Sequence, residues 1–393
     1  MALKGTNQEY GRPYNRRIVL ETIRLQGPIA RGEIAKRVGL TVQTVSTIIR
    51  ELEANGFLLA AREERRRRGY PATELTINPD GGHAIGLHVT PRGIEAALIN
   101  MAGEVIARRE RKLPGLKPAA AFDAIGDLVS ALRKQKTPKG RSGRSLGRML
   151  GIGLAMPGPF DVESMSFVGP TTLEGWSGVP IRERLAEKTR LPAFIEVDHA
   201  AAALGERLYG AARDIRDFYY LFFGVGLGGC MVQEGTTLRG SHGNAGEIGH
   251  LPMVPGGEAC PCGNTGCLER YLSCDAMERR AQKVGADGWI KEVTPLFRSA
   301  IVAIENMFDP LAIVIGGIAP PDVIDRLMAA AQPLPHSVAE RRDRPIPRII
   351  RSANGEDAVL RGAAALAVSG VLSPRIGLTF PANDPLMERE AAA

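Results

Sequence analysis

Three of the five cysteines in this chain fall within eight residues, as Cys260-Pro-Cys262 separated by four residues from Cys267, and His250 lies ten residues ahead of the first of them. Nothing else in the sequence restricts the fold as much. The segment between His250 and Cys267 is rich in Gly and Pro, and such turns let closely spaced thiolates meet at one ion; zinc favours four N or S ligands in a tetrahedron. His250, Cys260, Cys262 and Cys267 complete that shell and leave no position for water, so the expected site is structural, with one Zn2+ per chain. The remaining cysteines are Cys230 and Cys274, and an odd count gathered in one segment of a 393-residue chain argues against a secreted disulfide scaffold. Three unligated thiols this close together would be an oxidation liability.

A chain of this length exceeds one compact core, so two or three domains are expected. Met1 to Tyr10 is polar, and no stretch approaches the roughly 18 to 20 apolar residues of a membrane span. A cytoplasmic location without a membrane partner is the expectation. Charge is unevenly placed: residues 1–80 hold 14 Lys and Arg against 9 Asp and Glu, which is most of the chain's formal excess of +7. A basic terminal domain on a nearly balanced body suits a polyanionic partner.

The first eighty residues say what kind. Val19 and Ile23 share one face of a helix over Asn15 to Gln26 that Gly27-Pro28 ends, and Ile34, Ala35 and Val38 mark the inner side of a short helix from Arg31 to Val38. Thr41 then reads as the N-cap of a third helix with an apolar stripe of Val42, Val45, Ile49 and Leu52, stopped at Asn55-Gly56. The opposite face offers Gln43, Thr44, Thr47 and Arg50, side chains that reach base edges and phosphates as a recognition helix requires. Phe57 to Ala61 and Ala72 to Ile77 read as a strand pair with Leu75 and Ile77 facing inward, and the tip from Arg62 to Gly69 carries Arg65, Arg66, Arg67 and Arg68. A tetrabasic run is often only a solvated face. Here it follows a recognition helix, where the wing of a winged helix-turn-helix would meet phosphates or a minor groove.

Beyond the linker-like Pro79-Asp80-Gly81-Gly82, apolar strands alternate with helices. Strands are expected at His83 to Val89, Ile94 to Ile99, Val105 to Arg108 and Met149 to Leu154, with a helix over Ala119 to Leu132. A similar succession returns as strands at Phe218 to Phe223 and Cys230 to Gln233, a helix ending near Met307 and a strand at Ala312 to Ile315. Two similar α/β halves predict a duplicated, actin-like (ribonuclease H-like) fold with a cleft between them. The expected division is residues 1–79 for the winged helix-turn-helix, 80–200 and 201–372 for the two halves, and a tail at 373–393.

Gly246-Glu-Ile-Gly-His250, Cys260-Pro-Cys-Gly-Asn-Thr-Gly-Cys-Leu-Glu269 and Ala155-Met-Pro-Gly158 together resemble the ROK family of repressors and sugar kinases. Further segments with that likeness are Glu196-Val-Asp198 through Glu206, Asn306-Met-Phe-Asp-Pro310 and Ile313-Val-Ile-Gly-Gly317, so the similarity runs from about Asn15 to Val368. The resemblance implies that Asp198, Glu247, His250 and Glu269, with Gly158, contact a sugar. Carboxylates accept hydrogen bonds from vicinal hydroxyls, and a zinc-bound imidazole still has one N–H for a ligand. It also implies a bacterial regulator, a homodimer or higher homo-oligomer on an operator with an inverted repeat.

The kinases of the family carry a first loop of the type Asp-x-Gly-Gly-Thr and a second of the type Gly-Thr-Gly. Aligned over Gly86 to Ala96, this chain has His88 for the Asp, Thr90 and Pro91 for the glycines and Arg92 for the Thr; in Gly224-Val-Gly-Leu-Gly-Gly229, Val225 replaces the hydroxyl. Backbone N–H groups must approach phosphate closely, and proline has neither the donor nor the freedom. No enzymatic activity is expected, and Asp198 is not assigned as a general base. Val197 replaces a customary Asn, and the surroundings of Thr171 and Thr172 lack another, which leaves the sugar's identity open. The resulting expectation is a repressor of carbohydrate uptake or catabolism genes, released by a sugar. The alternatives are a bifunctional sugar kinase with a DNA-binding domain and a regulator that answers a protein partner.

Overall fold

The computed structural model describes residues 11–61, 74–113, 115–135, 147–158, 173–341 and 343–372. Arg65, Arg66, Arg67, Arg68, Thr171, Thr172 and the tail at 373–393 lie outside the described residues.

The N-terminal unit is α1 (Gly11–Gln26), β1 (Ile29–Ala30), α2 (Arg31–Val38), α3 (Val42–Ala54), β2 (Leu58–Ala61) and β3 (Glu74–Ile77). β3 pairs antiparallel with both β1 and β2, which makes the small sheet of a winged helix-turn-helix. α2 ends at Gly39, whose φ of 69° is the left-handed cap that glycine adopts without strain. Thr41 caps α3 as expected, its hydroxyl accepting from the Thr44 amide at 3.1 Å. The stripe differs by one residue from the sequence reading. Val45, Ile48, Ile49 and Leu52 are buried, while Val42, in the first turn of α3, is 54% exposed. The i, i+3, i+4, i+7 set belongs to the middle of the helix, and its first turn overhangs the packing.

The body contains two sheets of one design. The first comprises β4 (His83–Thr90), β5 (Gly93–Asn100), β6 (Val105–Lys112), β7 (Met149–Met156) and β8 (Ala193–Val197), in the order β6-β5-β4-β7-β8. The second comprises β9 (Phe218–Phe223), β10 (Leu227–Gln233), β11 (Thr236–Thr237), β12 (Ala312–Gly317) and β13 (Ile349–Arg351), in the order β11-β10-β9-β12-β13. In each the first three strands run as an antiparallel meander and the last two join parallel to the first. Identical order and direction in both sheets is the duplication expected of an actin-like fold.

Helices α4 (Pro118–Arg133) and α5 (Ile181–Thr189) accompany the first sheet, and α7 (Cys274–Phe308) and α8 (Pro321–Ala330) the second. α7 bends at Gly285, where φ is 73°. α6 (Asp198–Tyr209) and α9 (Ala358–Leu372) pack on each other, and α9, although last in the chain, lies on β4 and β7 of the first sheet. Small residues permit that approach. A Cβ on Gly153 of β7 would meet the Ala363 carbonyl at 1.7 Å, and one on Gly362 of α9 would meet the Ala201 carbonyl of α6 at 1.7 Å.

The N-terminal unit is not set apart by an open linker. Pro79–Gly81 forms a 3-10 turn, and Ile18, Val19, Ile49 and Phe57 share one apolar core with Leu360, Ala364, Ala367 and Val368 of α9. Two arginines of α1 reinforce the contact. Arg17 donates to the Val371 carbonyl at 3.3 Å. Arg24, ion-paired to Glu21 at 2.6 Å, donates to the Ser369 hydroxyl at 3.3 Å and lies beside the hydroxyl of Tyr209, the last residue of α6.

Candidate functional site

On α3 the residues not spent on the core form one exposed surface: Thr41, Gln43, Thr44, Thr47 and Arg50. Its polar groups are pre-ordered. The Thr41 and Thr44 hydroxyls bond each other at 2.8 Å, Thr47 donates to the Gln43 carbonyl, and Arg50 reaches Thr47 at 3.3 Å. Gln43 presents an amide at the exposed N-terminal end of the helix, the part that enters a major groove in helix-turn-helix proteins.

The second site is a partly open cleft between the two sheets. It gathers residues from several separate segments. Pro157 and Gly158 follow β7, Asp198 and His199 open α6, Glu247 and His250 come from the turn after β11, Glu269 follows the last cysteine, and His88 and Thr90 end β4. All five residues that the sequence assigned to a sugar, Gly158, Asp198, Glu247, His250 and Glu269, line this one cavity. Among the described residues its lining contains three carboxylates and no Lys or Arg.

Asp198 is the first residue of α6. Its Oδ1 accepts from the following amide, of His199, at 2.7 Å. The buried His199 ring has Nδ1 3.4 Å from the same oxygen; burial disfavours its charge, yet the Asp198 carboxylate outweighs that and holds its pKa above the usual histidine range. Oδ2 faces Nε2 of His88 at 4.0 Å.

His250 joins the cleft to the cysteine cluster. Its Nδ1 is 3.6 Å from Cys260 Sγ, and its Nε2 turns the other way, 3.9 Å from a Glu247 carboxylate oxygen. The His250, Cys260, Cys262 and Cys267 ligand atoms all lie within 4.8 Å of one another, with Cys262 and Cys267 Sγ 3.6 Å apart. Two thiolates each about 2.3 Å from one tetrahedral ion stand roughly 3.8 Å apart, so the donor set fits a metal ion. The backbone is folded for it. Cys260 N–H donates to the Asn264 carbonyl at 2.8 Å, Gly263 and Gly266 take φ of 95° and 71°, and Pro252 bridges to Cys267. Hydrogen bonding from the Asn264 backbone brings the Cys262 thiol down to about 7, while burial pushes Cys260 up to about 12. Glu269 touches both features, with Oε1 3.3 Å from Cys260 Sγ.

The two hairpin turns that a kinase would use for phosphate face the same cleft. Between β4 and β5 the two-residue turn is Pro91-Arg92; Pro91 has no N–H, and the Arg92 N–H is taken by the Thr90 hydroxyl at 3.2 Å. The Arg92 guanidinium reaches across to Glu278 of α7 at 2.8 Å. Between β9 and β10, Val225 occupies the tip and Gly224 N–H bonds to the Gly226 carbonyl at 3.0 Å. His88 and His199 are two lining residues the sequence reading did not assign. The signal for His88 was present, a polar residue inside the otherwise apolar run of β4.

Comparison with known proteins matches residues 84–369 to the ROK family and residues 13–58 to a family described as winged helix-turn-helix DNA-binding. The xylose repressor of Caldicellulosiruptor bescii is 32% identical over 293 residues, covering 72% of this chain and 71% of that protein. A glucokinase of Halalkalibacterium halodurans is 34% identical over 198 residues, covering 50% of this chain and 58% of the enzyme. Among solved structures, a ROK family transcriptional regulator described as a homolog of the E. coli MLC protein superposes with a TM-score of 0.69 at 23% identity, covering 91% of this chain and 96% of that one.

Proposed function

The chain belongs to the ROK family, and on that premise we propose a sugar-responsive, DNA-binding repressor that holds its operator through the N-terminal winged helix-turn-helix and its sugar in the cleft. The observation that carries the reading is the convergence of Gly158, Asp198, Glu247, His250 and Glu269 on one cavity. Asp198, Glu247 and Glu269 accept from sugar hydroxyls, and His250 donates from Nε2. Zinc on His250 Nδ1, Cys260, Cys262 and Cys267 is the ion we assign to the cluster; it supplies a fixed cross-link, and the chain's own residues do the recognising. The loop so held presents Glu247 from one side and Glu269 from the other.

Binding without phosphoryl transfer follows from the turns. A kinase cradles phosphates with backbone N–H groups and cations, whereas this cleft offers Pro91, a tied Arg92 amide and no Lys or Arg among its described lining residues. The glucokinase relative shares the fold, which leaves kinase activity as the second reading. ATP-dependent formation of a sugar phosphate would identify it, and no product above the protein-free control is expected.

The two sites are joined through α6. Its first residue, Asp198, is in the cleft and its last, Tyr209, lies against Arg24 of α1; twelve residues span about 18 Å. A sugar gripping both halves favours a closed cleft, and closure moves α6 and α9 against the unit that carries the recognition helix. A ligand shifts such an equilibrium only by its differential affinity for the two states. In a homodimer on an inverted repeat, the closed form spaces the two winged units badly for half-sites about one DNA turn apart. Such a regulator works in the cytoplasm of a bacterial cell. Gln43→Ala and Thr44→Ala reduce discrimination between operator sequences, while replacing Arg66 and Arg67 by Ala weakens binding broadly and flattens its salt dependence. Operator affinity unchanged in all of them would refute the DNA-binding assignment. A thermal-shift screen of pentoses, hexoses and amino sugars, read against operator release, tests the sugar site; a protein that answers none of them is not sugar-regulated.

A further inference from the structure

We infer that His88 is a specificity-determining residue of the cleft, which holds one sugar hydroxyl jointly with Asp198 and so selects a sugar that is unphosphorylated at that position. The inference rests on the reading of the cleft as a sugar site and goes beyond it by naming what has become of the phosphate end.

His88 is 3% exposed, and its Nε2 has no hydrogen-bond partner among the described residues, although it lines the cavity. A buried polar atom left without a partner costs free energy, and its persistence points to a partner that arrives with a ligand. Nε2 stands 4.0 Å from Asp198 Oδ2, and Nδ1 stands 4.0 Å from Glu95 Oε2. Both distances are too long for direct hydrogen bonds. The first, however, is the separation that one oxygen bridges: an atom about 2.8 Å from each of two groups 4.0 Å apart subtends roughly a right angle. A hydroxyl there donates to Oδ2 and accepts from Nε2–H. Asp198 is oriented for this, since its Oδ1 is already engaged by the His199 amide. Burial holds the His88 pKa below the ordinary histidine range against the opposing pull of Asp198 and Glu95, so the ring meets the ligand neutral, as a single donor.

The same geometry turns away a phosphate ester. Its oxygens lack the proton that Asp198 Oδ2 needs, the charge would face three carboxylates with no N–H on Pro91, and the cations beyond His88, Arg92 and Arg108, are already paired with Glu278 and Glu95.

The test is calorimetric titration of the full-length protein with aldopentoses, aldohexoses and N-acetylhexosamines, followed by the monodeoxy and monophosphate derivatives of the sugar that binds. His88→Ala is expected to weaken that sugar at least tenfold, with operator affinity and melting temperature kept as the check on folding. His88→Gln, which restores a donor near the Nε2 position, is expected within threefold of the original. One monodeoxy sugar should bind the original protein and His88→Ala equally, because the bridging hydroxyl and its donor form one interaction. The phosphate ester at that position should bind at least tenfold more weakly than the free sugar. If the original protein binds sugar but His88→Ala binds it as well, or if every deoxy sugar shows an additive loss, the role of His88 is overturned while the sugar site stands. If no sugar of the panel binds the original protein, both fall.

Discussion

The two ends of the cleft have parted company. At one end Glu247, His250, Glu269 and Asp198 present four polar side chains into one cavity, three of them held by a loop folded around the cysteine cluster. At the other, the β4–β5 and β9–β10 turns occupy equivalent places in two sheets of identical strand order, yet Pro91 and Val225 sit where phosphate needs donors. On the proposed reading, the end that recognises a sugar has kept its chemistry and the end that would transfer phosphate has not. If the cleft closes over a sugar, as proposed, the free energy of that closure is available to α6 and α9, which pack behind it.

Breaking the loop at the recognising end gives the largest effect. Cys262→Ser is expected to take bound zinc from one per chain to none, and to weaken sugar at least a hundredfold, as measured by elemental analysis and calorimetry on the same preparation. Zinc retained at one per chain in that variant contradicts the ligand set. Glu247→Ala acts within the cleft only. It should lose roughly ten- to a hundredfold in sugar affinity while operator affinity stays within twofold, giving a repressor that ignores its inducer. The smallest effect belongs to the other end: Mg-ATP at millimolar concentration should change sugar affinity less than twofold. A larger change would show that the altered turns still bind nucleotide.

The sequence reached different depths in different regions, for physical reasons. α2 was legible to its ends because Gly39 and the Ile34, Ala35, Val38 triplet mark both its stop and its inner face. The cysteine cluster was legible because its ligands are close in sequence and chemically distinctive. Asp198, Glu247 and Glu269 are ordinary carboxylates on segments far apart, and only the resemblance to a family singled them out; the cleft then placed them together. α9 was not read as part of the first half. Its run of Ala, Val, Leu and Gly is apolar all round because it is covered on one side by β4 and β7 and on another by α6, so it has no polar face to set a period. His88 was read as a loss, the Asp that is no longer there, since its new surroundings depend on Asp198 and Glu95 brought up from other strands and helices.

On the proposed reading, sugar and operator compete through the shape of the body, along α6 and α9, although their sites are separate. By linkage, operator DNA must weaken sugar binding by the same factor as sugar weakens operator binding. Typical coupling between sites is about 5- to 150-fold, and it should shrink in Tyr209→Ala, where α6 loses its contact with Arg24. The most direct measurement is titration of the inducing sugar into the protein alone and into the protein saturated with operator. Sugar affinity is expected to be at least fivefold weaker on the operator, matched by an equal loss of operator affinity in saturating sugar. Equal sugar affinities in the two titrations would contradict it, even if both ligands bind well.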